Sequence, residues 1–251
     1  EDFKIDISES LEAQKWTSFI PPKNEVLVGG CIFLKNWIIR SETINALDKY
    51  YVRNLLSDKE EELIFTDEKV VVPNVSLTQK DRNTDNIYIE YSSPKTPSSV
   101  YLYNLSEKSK ELVKRQEIPS GHDPENYIVE RIDFESHDGR LVPLTITRHK
   151  KTKLDGSANL LLYGYGSYGN SMSPGFSSTR LSLIDRDIIW VTAHIRGGME
   201  RGMKWWKEGK LLNKKNTFQD YIHTAKFLIE KKYSSKGKII GMGGSAGGLL
   251  M

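Results

Sequence analysis

The stretch Lys238–Met251 constrains the fold more than any other part of the chain. Two isoleucines lead into the pentapeptide Gly243-Gly244-Ser245-Ala246-Gly247, and leucines suited to a helix follow. In a G-x-S-x-G pattern the serine occupies a sharp strand-to-helix turn, whose strained backbone leaves little room for nearby side chains. The pattern therefore predicts a nucleophile elbow, with Ser245 as the candidate nucleophile and Gly243, Gly244 and Gly247 as the glycines of the turn.

Two other interpretations of this stretch stay open. One is a glycine-rich turn without chemistry. The other is a nucleotide-binding loop, because Gly241, Gly243 and Ala246 fit the dinucleotide fingerprint G-x-G-x-x-G/A. That fingerprint also needs a full helix, a further strand and an acidic residue about 20 positions on. The sequence offers none of these after Ala246.

The composition is that of an ordinary globular protein. Of 251 residues, 38% are hydrophobic and 27% charged, and 36 Lys and Arg stand against 33 Asp and Glu. Because the basic residues are dispersed, we expect neither a nucleic acid nor a membrane as partner, and no motif predicts a metal or cofactor. Cys31 is the single cysteine and is expected to be a small core residue. A reducing, cytoplasmic location fits this cysteine content.

Residues 1–120 are predicted to be all-β. Short runs of β-forming residues alternate with polar turns, and helical periodicity is scarce. The predicted strands are Glu25–Val28, Trp37–Arg40, Tyr50–Leu56, Leu63–Phe65, Asn86–Ser92 and Val100–Leu105. Four-stranded propeller blades need roughly 40–50 residues each, so about three blades would fit here.

Residues 121–251 are predicted to form an α/β unit whose mostly parallel sheet ends at the elbow. A hairpin around His137-Asp138-Gly139 comes first, and strands then alternate with helices. Thr217 is the predicted N-cap of the longest helix, with Asp220 completing a capping box. The predicted elements are Tyr127–Glu135, Leu141–Arg148, Leu160–Tyr163, Thr179–Arg186, Ile188–Ala193 and Lys238–Met242.

A second glycine-rich stretch, Tyr163–Gly169, directly follows a predicted strand. Glycines let a backbone or a phenol approach a bound carbonyl closely, so Tyr165 is a candidate oxyanion donor. An aromatic turn that only packs on its own domain is the alternative. His194, at the end of the next strand, is expected to be structural, and His137 is expected to lie at the surface.

Taken together and in this order, these stretches resemble the prolyl oligopeptidase family of serine peptidases. The stretches Tyr163–Gly169 and Gly243–Met251 are most similar to the oligopeptidase B (protease II) branch, as is the run Lys214–Phe218. The resemblance implies an α/β-hydrolase domain over residues 121–251. It also implies that residues 1–120 are the last blades of a β-propeller.

The resemblance also implies roles for individual residues. Ser245 matches the nucleophile, Tyr165 and the backbone N–H of Ala246 match the oxyanion hole, and Tyr168 matches an aromatic residue near the substrate. Met199 stands where the family usually has glycine. The expected substrates are short peptides cleaved after Lys or Arg.

The triad Asp and His are expected beyond Ser245 in an α/β-hydrolase, and only six residues follow it here. We therefore expect the sequence to be an internal portion of a longer peptidase, inactive alone and completed either by further sequence or by a complementing C-terminal chain. A catalytically inactive remnant is the alternative.

Overall fold

A computed structural model describes residues 18–251 as thirteen strands and four α-helices. Residues 1–17, which belong to the predicted all-β segment, lie outside the described part. In the all-β region the strands are β1 (Val26–Phe33), β2 (Trp37–Ile44), β3 (Leu47–Asn54), β4 (Lys59–Glu62), β5 (Val72–Leu77), β6 (Asn86–Ser92), β7 (Ser99–Asn104) and β8 (Ser109–Arg115).

These eight strands form two antiparallel four-stranded sheets, β1-β2-β3-β4 and β5-β6-β7-β8, as expected of propeller blades. Side chains from both sheets meet in one core that includes Trp37, Ile39, Ile87 and Ile89. The described residues thus contain two blades where the sequence suggested room for about three.

Several details of the predicted strands are wrong. Strand β5 was not predicted. Leu63–Phe65 is not a strand, because the fourth strand is the preceding segment β4, whose four residues Lys-Glu-Glu-Glu are all exposed. Strand β8 was not predicted, because all seven of its side chains are exposed and carry no alternating pattern. Cys31, expected in the core, is only half-buried on β1.

The remaining elements form the α/β unit. They are β9 (Tyr127–Glu135), β10 (Leu141–His149), β11 (Asn159–Gly164), α1 (Ser178–Ile184), β12 (Ile188–Ala193), α2 (Gly202–Lys207), α3 (Lys215–Glu230), β13 (Ile239–Met242) and α4 (Ala246–Leu250). Single 3-10 turns occur at Pro124–Asn126 and Leu211–Asn213.

The sheet of this unit has the order β13-β11-β12-β10-β9. Strand β11 is parallel to both β12 and β13, and the hairpin β9–β10 adds two antiparallel strands on the β12 side. Alternate residues of β11 point to opposite faces. Leu160 and Leu162 belong to the core that α3 covers, and Leu161 belongs to the core that α1 covers. This is the predicted partial α/β-hydrolase sheet, with helices on both faces.

The crevice of this sheet is located by comparing the order of the strands along the chain with their order in the sheet. From β11 the chain moves to β12 on one side and then crosses back to β13 on the other side. The strand order therefore reverses between β11 and β13, and the carboxyl ends of these two strands flank a topological switch point. Ligand-binding crevices of open α/β sheets form at such points.

The predicted capping box at the start of α3 is wrong. The helix begins at Lys215 with Lys214 as its N-cap, so Thr217 is its third residue. The Thr217 hydroxyl donates to the backbone oxygens of Arg196 and Gly209. Asp220 accepts hydrogen bonds from Arg196 and Ser136. Both side chains are used by distant partners that local spacing does not reveal.

Candidate active site

Ser245 lies on the turn between β13 and α4, with φ 52° and ψ −120°. A non-glycine residue with this backbone conformation is strained, at a cost of order 1–3 kcal/mol. The residue is exposed, so nothing covers its hydroxyl group among the described residues. This is the backbone conformation that the G-x-S-x-G pattern predicts.

Close packing explains two of the three glycines around Ser245. A Cβ atom on Gly243 would lie 2.3 Å from the Gly247 carbonyl oxygen, and one on Gly247 would lie 2.8 Å from the Gly164 oxygen. A Cβ atom on Gly244 would meet nothing within 4 Å. Gly243 and Gly247 are thus required by the turn, and Gly244 is not required for lack of space.

Tyr165 lies beside this turn because it directly follows β11, the strand next to β13. A Cβ atom on Gly247 would lie 3.5 Å from both Cα and Cδ2 of Tyr165. Ala246 is the first residue of α4, and the first N–H groups of a helix have no partner within the helix. The structure thus brings Ser245, Ala246 and Tyr165 together at the switch point.

We call residues 164–169 the Tyr165 loop. Its end is fixed to the loop after β12 by a hydrogen bond from the Gly169 N–H to the Gly197 oxygen, at 2.9 Å. Met199 fills the space beside Gly169, since a Cβ atom there would lie 2.5 Å from the Met199 methyl carbon. Tyr168, in the same loop, is 76% exposed and has φ 57°. Its ring is therefore free to contact a bound molecule.

A buried ionic network supports the loop after β12. The Arg196 guanidinium donates to Asp220 at 2.7 and 2.8 Å and to Asp138 at 2.5 Å. The Asp220 carboxylate also accepts from the Ser136 hydroxyl at 2.7 Å. Burial is the largest single influence on Asp138 and opposes its ionisation, but the hydrogen bonds and positive charge of Arg196, with the Arg140 backbone N–H, together hold the pKa of Asp138 below its usual range.

The histidines of the chain are all engaged away from Ser245. His194 is fully buried and its Nε2 atom pairs with Thr145. Burial and the Arg131 charge lower the pKa of His194 well below its usual value, so the ring is neutral. It is structural, as expected. His122 contacts the Lys95 oxygen, His149 contacts the Tyr127 ring, and His137 and His223 contact each other. His137 is exposed, as expected.

Within residues 18–251 no group of three or more His, Cys, Asp or Glu side chains is arranged to hold a metal ion. None of the helices in this part of the chain combines the length and the apolar composition needed to cross a lipid bilayer.

Comparison with known proteins decides the family. Residues 174–251 match the model described as "Prolyl oligopeptidase family", and residues 3–116 match "Prolyl oligopeptidase, N-terminal beta-propeller domain". The chain belongs to the prolyl oligopeptidase family. Its fold is accordingly a set of propeller blades followed by part of an α/β-hydrolase domain. The family match includes Gly241–Met251, which favours the nucleophile elbow over the dinucleotide-binding loop.

Individual relatives agree with this assignment. The chain is 36% identical to "Dipeptidyl aminopeptidase BI" of Pseudoxanthomonas mexicana, over 97% of this chain and 33% of that protein. It is 33% identical to "Protease 2" of Moraxella lacunata, over 99% of this chain and 34% of that protein. Oligopeptidase B from Trypanosoma brucei, solved with covalently bound antipain, superposes with a TM-score of 0.84 at 31% identity, covering 92% of this chain and 34% of that one. The chain spans about a third of the length of these prolyl oligopeptidase relatives.

Proposed function

We propose that this protein is a serine-type oligopeptidase in which Ser245 is the nucleophile. The observation that carries the proposal is the strained Ser245 turn, exposed and flanked by Gly243 and Gly247 at positions where a Cβ atom would collide with backbone. Strained backbone conformations of this kind cluster at active sites, where the strain is part of the mechanism. Family membership supplies the class of reaction.

In the proposed reaction the Ser245 Oγ attacks the carbonyl carbon of the scissile peptide bond, and a general base takes the hydroxyl proton. The negative charge on the carbonyl oxygen would be stabilised by the Tyr165 hydroxyl and by the Ala246 N–H, since both residues lie beside the turn. Collapse of the tetrahedral intermediate releases the amine with that proton and leaves an acyl-serine. Water then hydrolyses the ester and regenerates Ser245.

We propose that the base and its carboxylate partner, a His and an Asp, come from polypeptide outside these 251 residues. They would be supplied by further sequence of the same protein or by a complementing C-terminal chain. Two facts support this. The histidines described above have other partners, and the family relatives are about three times as long as this chain.

The proposed substrates are short peptides cleaved after Lys or Arg, with no nucleic acid or membrane partner and no cofactor. The likeness to "Protease 2" and to a solved oligopeptidase B supports peptides as substrates, and cleavage after Lys or Arg is what the resemblance to the oligopeptidase B branch implies. A panel of amino-blocked peptides that differ only in the residue before the scissile bond tests it. Release of dipeptides from free amino termini alone would instead favour the specificity that the name "Dipeptidyl aminopeptidase BI" describes. We place the protein in the cytoplasm, where a single free cysteine, Cys31, stays reduced.

Reaction with a labelled fluorophosphonate tests the nucleophile in the native protein purified from its natural source. We expect peptide mapping to find the label on Ser245. Ser245→Ala should remove both labelling and peptide hydrolysis, with a loss of about 10⁴-fold or more. Ser171→Ala is the matched control, because Ser171 is exposed and lies outside the proposed site. A folded wild-type protein that hydrolyses no peptide and takes no label would favour the inactive alternative.

A further inference from the structure

The Lys214 side chain makes contacts that the proposed reaction does not yet use. Its Nζ atom donates to the Gly166 carbonyl oxygen at 2.5 Å and to the Ser167 hydroxyl at 2.7 Å. Both acceptors belong to the Tyr165 loop. Among residues 18–251 no carboxylate lies within salt-bridge distance of this ammonium group, whereas a few lysines of the same part of the chain, such as Lys23, Lys49 and Lys108, have one. The partners of Lys214 are therefore a neutral carbonyl and a neutral hydroxyl.

This position is unfavourable for a cation. Lys214 is the N-cap of α3, where the helix dipole presents its positive end, and its side chain is partly buried. Removal of water from the amine lowers its pKa. An ammonium group held here gains little from electrostatics, so its two hydrogen bonds to the Tyr165 loop are its main favourable interactions.

Gly166, whose oxygen Lys214 holds, directly follows Tyr165 and has φ 64°. Gly166 is also closely packed, since a Cβ atom there would lie 2.4 Å from Thr217 Cγ2 and 2.9 Å from the Arg196 oxygen. Glycine alone fits this site without strain. The glycine is thus confined by packing at its Cα, and its carbonyl oxygen accepts a hydrogen bond from Lys214.

We propose that Lys214 is a positioning residue that sets the direction of Tyr165 by holding the Gly166 carbonyl. The inference rests on the proposed function, in which the Tyr165 hydroxyl stabilises the oxyanion. Rotation of the Gly166–Ser167 peptide would turn the adjoining backbone and displace a hydroxyl at the end of a long side chain. Displacements of about 1 Å in a catalytic group cost on the order of a hundredfold in rate.

Steady-state peptide hydrolysis by Lys214→Met in the full native protein tests the proposal. We expect kcat to fall about tenfold to a hundredfold with little change in KM, because the oxyanion forms only in the transition state. Lys214→Arg, which keeps donors, should recover part of the rate. Lys215→Met is the matched control, since the neighbouring Lys215 is exposed, and its kinetics should equal those of the wild type. An unchanged kcat in Lys214→Met would overturn the proposal.

A double-mutant cycle separates positioning from general support of the fold. In a Tyr165→Phe background the hydroxyl is already absent, so Lys214→Met should have little further effect on kcat. An equal loss in both backgrounds would overturn the proposal. If Lys214→Met does not fold, the same cycle with Lys214→Arg applies, and additivity there would overturn it. Retained hydrolysis in Ser245→Ala would refute the proposed function itself, whereas loss in Ser245→Ala beside normal rates in Lys214→Met would refute only the role of Lys214.

Discussion

The two halves of the candidate site are built in different ways. The Ser245 turn is marked in the sequence by glycines two residues before and after the serine, although Gly247 is required by its contact with the Gly164 oxygen at the end of β11. The Tyr165 loop is held by residues from the loop after β12 and from the start of α3, among them Arg196, Lys214 and Thr217. The position of the Ser245 turn can therefore be predicted from a pentapeptide, whereas the contacts that hold the Tyr165 loop can be found only in the folded structure.

The ionic network behind the Tyr165 loop gives the largest expected effect. Asp220→Asn removes a fully buried carboxylate charge from Arg196, whose side chain is 2% exposed. We expect the free energy of unfolding to fall by about 3–5 kcal/mol, as for other buried pairs that lose one partner. Urea unfolding measures it. The same change in an exposed pair, Asp58→Asn beside Arg53, should cost less than about 1 kcal/mol. Equal losses in the two variants would contradict the tertiary origin of the loop.

The features that depend on short stretches of sequence were predicted well. The β11 and β12 strands, the α/β alternation and the turn at Ser245 all follow from apolar runs and glycine spacing, and the structure confirms them. Asp220 shows the limit. Its spacing from Thr217 fits a capping box, yet both side chains bond to Arg196, more than 20 residues away. A pattern within one helix cannot reveal a partner on another element.

The contacts of Lys214 could not be predicted from the sequence either, because a lysine just before a helix is normally predicted to lie at the surface. The one available signal was indirect. The run Lys214–Phe218 resembles the oligopeptidase B branch, but resemblance alone assigns no contact. The exposed strands β4 and β8 were obscured for a different reason. Strand β4 carries only charged side chains, and in β8 all seven residues are exposed with Leu112 and Val113 adjacent, so the alternation on which strand prediction depends is absent.

The second prediction uses pH to test the loop after β12. Glu200 is fully buried on this loop, and burial raises the pKa of its carboxyl group from 4.5 to about 7. The folded state therefore binds the proton more tightly than the unfolded state. The resulting stability is fully present below pH 4.5 and is lost as the pH rises through about 7. The full loss is about 3 kcal/mol, because each tenfold difference in proton affinity between the two states corresponds to about 1.4 kcal/mol.

Glu200→Gln should remove this pH dependence and make the protein more stable than the wild type above pH 7. Thermal unfolding across pH 4 to 9 measures it. Glu111→Gln, on the exposed strand β8, is the control and should follow the wild-type curve. Because the lowered pKa of buried His194 gives a pH dependence of opposite sign, the test is the difference in stability between the wild type and Glu200→Gln. A difference that stays constant between pH 5 and 8 would contradict burial of Glu200 in the folded protein.

The third prediction tests the Ser245 turn. Gly243→Ala places a Cβ atom 2.3 Å from the Gly247 oxygen, so the turn at Ser245 must shift. We expect the rate of fluorophosphonate labelling to fall about a hundredfold in the native protein. Gly248→Ala is the control, because its Cβ atom would lie 3.9 Å from the Gly243 oxygen, an ordinary contact. Similar labelling rates for the two variants would mean that the turn does not depend on these contacts.

The smallest effect distinguishes two buried threonines of the same helix. The Thr217 hydroxyl donates to the backbone oxygens of Arg196 and Gly209, which lie outside α3. The Thr224 hydroxyl donates to the oxygen of Asp220, one turn earlier in α3, which the helix ladder already uses. Thr217→Val should therefore lower the free energy of unfolding by about 1–2 kcal/mol, and Thr224→Val should change it by less than about 0.5 kcal/mol.

Urea unfolding of the two variants side by side provides the measurement. Both substitutions keep the shape of the side chain and remove one hydroxyl from a fully buried position of α3. Local propensity therefore predicts equal effects, and only the partners beyond the helix make them differ. A larger loss at Thr224 than at Thr217 would mean that the contacts between α3 and the loop after β12 do not stabilise the Tyr165 loop. A larger loss at Thr217 would locate that stability in long-range contacts, where a pentapeptide motif carries no information.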